Sequence, residues 1–154
     1  MADHSDGMTV HLAHRDVSFV AVSRAPLAEI ERFRQRMGWR FPWVSSHDID
    51  FNSDFHVSFT PDEMEKGRAD YNFGAKPAGG EMPGVSAFWK DDAGEVFHAY
   101  STYGRGVEVM MHTYRLLDLT PKGRDEDGLD FTMAWVRHHD RYEAAPSPKS
   151  CCGR

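Results

Sequence analysis

Cysteine is scarce in this chain: two residues of 154, adjacent to each other at Cys151-Cys152. A framework of structural disulfides is therefore excluded, and a bond between the two neighbours would be strained and close almost no loop. Long apolar runs are missing too. No window approaches the ~20 residues that a membrane-spanning helix needs, and Met1-Ala2-Asp3-His4-Ser5-Asp6 offers neither the basic region nor the apolar core of a leader. Nor is there a Lys/Arg run. With 18 Lys and Arg against 24 Asp and Glu, the formal net charge is -6, which argues against nucleic acid or an anionic membrane as the main partner. No internal repeat is visible. A single-domain, soluble, cytoplasmic protein is the expectation, because 40% hydrophobic and 12% aromatic residues suffice for a core at this length.

What is present centres on Glu81 to Tyr103, which reads as a β-hairpin. Val85 to Trp89 is a β-prone run, Lys90-Asp91-Asp92-Ala93-Gly94 carries the polar residues and glycine of a turn, and Glu95 to Ser101 alternates again. Strict alternation sets Phe97, Ala99 and Ser101 on one face and Val96, His98 and Tyr100 on the other. Pro83 precedes the first strand, and the Met82-Pro83 bond is where a cis peptide costs least, so a cis bond is expected there. After the hairpin, Val107, Met110, Met111, Tyr114 and Leu117 repeat at helical spacing and predict a helix over 106–119 that covers one face of the sheet, ended by Pro121.

Upstream, Asp3 to His14 reads as a helix with Met8 and Leu12 on one side. Val17 to Val22 is nearly continuously apolar, as in a central parallel strand covered on both faces. Pro26 suits a first helical turn, Leu27, Ile30, Phe33 and Met37 repeat at helical spacing, and Gly38 sits where a left-handed stop belongs. Phe41 to Ser46 reads as a short edge strand beside Pro42. The stretch 47–80 lacks periodicity but holds Phe51, Phe55, Val57, Phe59, Tyr71 and Phe73, too many apolar groups for a floppy linker; a turn of helix is expected at 61–65 behind a Thr60 cap. The domain is expected over 1–142, with 143–154 a polar tail.

Ala21 to Leu27, Met37 to Ser46, Asp54 to Thr60, Leu119 to Arg124 and Trp135 to Asp140 together resemble a bacterial thioredoxin-like family without assigned function, domain of unknown function 899, described as predicted dithiol-disulfide oxidoreductases. More distantly, Phe41-Pro42 with Ser45, and Gly104 to Glu108, are similar to two peroxiredoxin segments, in which an arginine lies against the reactive cysteine. The resemblance implies an α/β fold, a thioredoxin-like mixed sheet with flanking helices. Family members carry, upstream of the segment in which this chain starts, a first strand and a Cys-x-x-Cys; neither stands in this sequence. By resemblance that strand is the middle one, between 17–22 and 85–89, and its place must be taken by direct pairing of the flanking strands, by a second copy or by a separate fragment. A homodimer is the expectation.

Candidate site residues follow. The resemblance implies Arg105 as the cation that lowers a thiol pKa, and Met82-Pro83 as backbone presented to a thiol or disulfide substrate, with Trp135 and His138 nearby. Arg105 reads equally as an ordinary helix-start arginine. Cys151 and Cys152 are the only thiols, suited to a resolving role, a soft-metal site, a bond to another chain, or none. No cofactor is expected. His11 and His14 share a helix face, but adjacent His138 and His139 diverge, and 48–54 starts like a calcium loop yet has Ser53 and Phe59 where glycine and glutamate belong, so no metal is expected. The aromatic set Trp39, Trp43, Phe55, Phe59, Tyr71, Phe73 and Trp89 is first of all core. Two functions emerge: a relative of thiol-disulfide oxidoreductases that is catalytically incomplete for want of a core cysteine, and a non-enzymatic binding or dimerisation module that pairs through open strand edges.

Overall fold

The computed structural model describes residues 2–143. It is mixed α/β. A 3-10 turn at Ala2–His4 leads into α1 (Asp6–Ala13), followed by β1 (Ala21–Ser23), α2 (Leu27–Met37), β2 (Trp43–Ser45), the short helices α3 (Phe51–Asp54) and α4 (Pro61–Glu65), the hairpin β3 (Gly84–Lys90) and β4 (Val96–Tyr103), a 3-10 segment Gly104–Met110, α5 (His112–Leu117) and a 3-10 turn at His139–Arg141. β1 pairs parallel with β2, and β3 antiparallel with β4, in two separate two-stranded sheets. The tail expected over 143–154 lies, but for Glu143, outside the described residues.

The β1–α2–β2 unit follows its local signals. Pro26 caps α2 with extended backbone, Ile30 and Met37 are buried, and Gly38 ends it at φ 66. The expected strand over 17–22 shrinks to three residues, with Val17 and Val20 about half exposed. Its partner limits it. The Ala21 amide reaches the Pro42 carbonyl, and Pro42 has no N–H with which to carry the ladder further. Thr60 caps α4 in a capping box: its hydroxyl accepts from the Glu63 amide, and Glu63 accepts from the Thr60 amide at 2.7 Å.

The single helix expected over 106–119 is instead two pieces broken at Met111 (φ -117, ψ 74). Gly104, Gly106 and the β-branched Val107 and Val109 make this a poor α-helix start. The 3-10 segment is set by a close approach: a Cβ on Gly106 would lie 1.8 Å from Thr102 Oγ1 on β4. Val107, Met111 and Tyr114 are still buried, so the spacing identified the inward side even though the helix is interrupted.

The hairpin also departs from strict alternation. Gly84 pairs with Tyr103, Ser86 with Ser101 and Ala87 with Tyr100, but Phe88 then pairs with His98 and Trp89 with Phe97, leaving Ala99 as a bulge. One extra residue exchanges faces beyond it. Ser101 therefore joins His98, not Phe97, and Tyr100 joins Phe97.

Candidate functional site

Tyr71, 4% exposed, forms the junction between the two segments expected to carry chemistry. Its hydroxyl donates to the Pro83 carbonyl at 2.7 Å and accepts from the Gly104 amide at 2.7 Å, so Pro83 and the turn bearing Arg105 meet on one phenol. Edge contacts with Phe59 and Tyr103 hold the ring. The expected cis bond at Met82-Pro83 is not there: no cis peptide occurs among the described residues. Met82 instead continues an extended ladder, its amide on the Val57 carbonyl at 2.8 Å, next to the Ser58–Glu81 bridge. The trans form, favoured by about 0.5–1 kcal/mol in any case, suits that ladder.

Arg105 itself points outward. Its side chain is 77% exposed and meets Glu108 at 3.1 Å. Glu108 is shared with Arg124, which also forks onto both Asp118 oxygens, at 2.7 and 2.8 Å. Arg124 stacks over the Tyr114 ring, 4.3 Å from its centroid. The hydrogen bonds from Arg124 hold Asp118 below the usual carboxylate range.

The fully buried Tyr114 donates to Glu126 Oε1 at 2.6 Å, and that same oxygen accepts from the Trp135 indole at 2.7 Å and the Met133 amide at 3.0 Å. Burial first, and then this bond, push the Tyr114 phenol up to about 12. The phenol hydrogen bond, followed by those of the Met133 amide and Trp135, holds Glu126 below its ordinary value. Trp135 thus belongs to a polar web that reaches Arg105 through Arg124 and Glu108. Glu126, at its centre, sits in a charged loop with no periodicity, so nothing in the sequence marked it.

His138 joins a different cluster. It lies edge-on to Phe33 (5.1 Å) and 3.2 Å from an Arg36 nitrogen, while Arg36 forks onto Asp140 at 2.8 and 3.1 Å. His139 reaches Asp3, which also accepts from the Trp39 indole at 2.8 Å. Burial alone would raise the Asp3 pKa; the bonds from His139 and Trp39 overcome it and hold the group low. These contacts clasp the two ends of the described chain to α2 over the packed rings of Phe33, Trp39, Phe41 and Trp43. Cys151 and Cys152 lie outside the described residues. Among the described residues, no three His, Cys, Asp or Glu side chains are grouped so as to hold a metal ion.

The hairpin supplies the most open surface. On one face, Ser86, Ser101 and His98 form a hydrogen-bonded row, with His98 Nε2 2.7 Å from Ser101 Oγ, and Phe55 of the α3 end packs edge-on against Phe88 and His98. The other face carries Ala87, Trp89, Phe97 and Tyr100. Trp89, Phe97 and Tyr100 are 59%, 48% and 60% exposed, and at the Thr102 end Gly106 lies against this face. Among the described residues neither the outer edge of β3 nor that of β4 has a backbone partner.

No helix among the described residues is long and apolar enough to cross a membrane. Neither the curated proteins nor the solved structures contain a match. A family model does match, over residues 1–142, and on that span the chain belongs to the family described as bacterial protein of unknown function, DUF899.

Proposed function

We propose that this chain is a thioredoxin-like domain that works by contact, as a binding and assembly module that pairs with a second copy, and not as a thiol catalyst. The β–α–β unit with parallel strands, followed by an antiparallel hairpin, agrees in order with that scaffold. The observation that carries the reading is the hairpin: an unpaired strand edge and an exposed aromatic face, in a chain whose residues 1–150 contain no cysteine. Thiol exchange needs a thiolate, and here only Cys151 and Cys152 can supply one.

One observation favours the second reading, a relative of thiol-disulfide oxidoreductases acting on a thiol or disulfide substrate. Tyr71 ties Pro83 to the Gly104-Arg105 turn, bringing together the two segments that the resemblance links to thiol chemistry. Insulin-disulfide reduction by the wild type and a Cys151→Ser/Cys152→Ser variant separates the two. The contact reading expects equal background rates; turnover that the variant loses would overturn it.

A further inference from the structure

We propose that the bare face of the hairpin, Ala87, Trp89, Phe97 and Tyr100, is the surface on which two copies of this chain stack face to face. The inference rests on the contact reading above and replaces its open strand edge with a named face.

The bulge at Ala99 creates this face. Without it Tyr100 would share a side with Val96 and His98; the extra residue turns Tyr100 toward Phe97 and Trp89, concentrating three rings on one side. Trp89 and Phe97 touch, centroids 5.3 Å apart. Phe55 packs edge-on against Phe88 and His98 on the opposite face, whereas among the described residues the only aromatic contact of these three rings is the one between Trp89 and Phe97. The indoles of Trp39, Trp43 and Trp135 each donate to a side-chain oxygen, to Asp3, Ser23 and Glu126. Trp89 has no such partner among the described residues.

Area and charge point to the occupant. The face itself is uncharged, so a matching partner presents an apolar face of similar size, and the chain presents this one. Half-exposed rings of 150–250 Å² leave roughly 350 Å² open from the three aromatics. With Ala87 and the flanking stems this comes to about 500 Å² a side, the small end of specific interfaces. That size predicts a weak, micromolar dimer. Charge sets the direction. The hairpin tip carries Asp91, Asp92 and Glu95 against Lys90, while the far end carries Arg105, 77% exposed and held at 3.1 Å by the largely covered Glu108, on the segment that meets Thr102. A two-fold axis through the face lays each acidic tip over the Arg105 end of the other copy, with the two sheets about 10 Å apart.

Sedimentation velocity over a concentration series tests this, with single lysine substitutions on either face. The wild type should show a monomer–dimer equilibrium. Trp89→Lys, Phe97→Lys and Tyr100→Lys should each weaken it more than tenfold, whereas Val96→Lys, which is 62% exposed on the opposite face, should leave it unchanged. Arg105→Glu should weaken it several-fold, and the loss should shrink at high salt. Circular dichroism of each variant confirms folding. Tyr100 lies on β4, away from the open β3 edge. A dimer that survives Tyr100→Lys but not Trp89→Lys would overturn face stacking and leave pairing through the β3 edge standing. A wild type that stays monomeric throughout the series overturns the self-pairing altogether, and the insulin assay then decides whether the contact reading falls with it.

Discussion

The rings gathered on α2 and β2 and the rings gathered on β3 and β4 are built from the same kinds of side chain, yet only the first group is closed over. Phe33, Trp39, Phe41 and Trp43 pack on one another at centroid distances of 5.4 to 6.4 Å. Segments distant in sequence seal them: Asp3 from one end, His138 and Asp140 from the other. Trp89, Phe97 and Tyr100 are as aromatic but stay about half exposed, with the Gly104–Met110 segment meeting their face at Thr102. The lesson is that a ring's fate is set by whether another element reaches its face, not by its own hydrophobicity. A two-stranded hairpin is at best marginal by itself, and a bare aromatic face on one is the physical ground for the proposed contact surface.

The sharpest way to break the comparison is to remove core from the sealed side. Ile30, 2% exposed, should lose about 2–5 kcal/mol on truncation to alanine, read by urea unfolding, because both transfer and cavity terms act there. Gly106→Ala should come next. Its new Cβ, 1.8 Å from Thr102 Oγ1, forces the 3-10 segment off β4, with a loss of about 1–3 kcal/mol and an increase in exposure of the hairpin end.

Tyr114→Phe should lose about 1 kcal/mol, since the ring still fills its site but Glu126 loses a donor. Its pH dependence has a definite sign. The folded phenol is raised to about 12 from 10.0, so its contribution is full below pH 10 and fades as pH rises toward 12. Melting curves in that window should flatten in the variant. The acid limb runs the other way. Asp3, Asp118, Glu126 and Asp140 all have lowered pKa values in the fold, so their stabilisation is full above the ordinary carboxylate range and is lost as pH falls through and below it. Melting temperature should therefore drop below about pH 4, and Asp140→Asn should blunt the drop. Smallest of all, Trp89→Ser should change monomer stability by less than about 0.5 kcal/mol in dilute solution, the expectation for an exposed side chain with no sealing partner.

Legibility in the sequence tracked how local the cause was. α2 with its Pro26 start and Gly38 stop, the Thr60 cap and the hairpin turn at Asp91 to Gly94 depend on residues within a few positions of each other, and all formed as expected. The strand over 17–22 was cut short by a proline on its partner, about twenty positions away, and the helix over 106–119 breaks at Met111 after a 3-10 segment in which Gly106 lies against Thr102 on β4, a tertiary contact that helical periodicity does not encode. The hairpin faces were misassigned beyond Ala99 because period-two counting cannot see a bulge. Pro83, Arg105 and Trp135 stood out in the sequence, but Tyr71 and Glu126, which tie them into hydrogen-bond networks, sit in aperiodic loops and act through partners 9 to 33 positions away. His138, which the resemblance sets with Trp135 near Met82-Pro83, packs in the clasp on α2, against Phe33 and Arg36.

Side-chain footprinting by a diffusing carbene, run on the intact protein at nanomolar and at high micromolar concentration, addresses the bare face directly. Labelling of Trp89, Phe97 and Tyr100 should fall several-fold at the higher concentration while Val96 and Leu119, more open and elsewhere, stay constant. Identical labelling of the three rings at both concentrations would contradict the account.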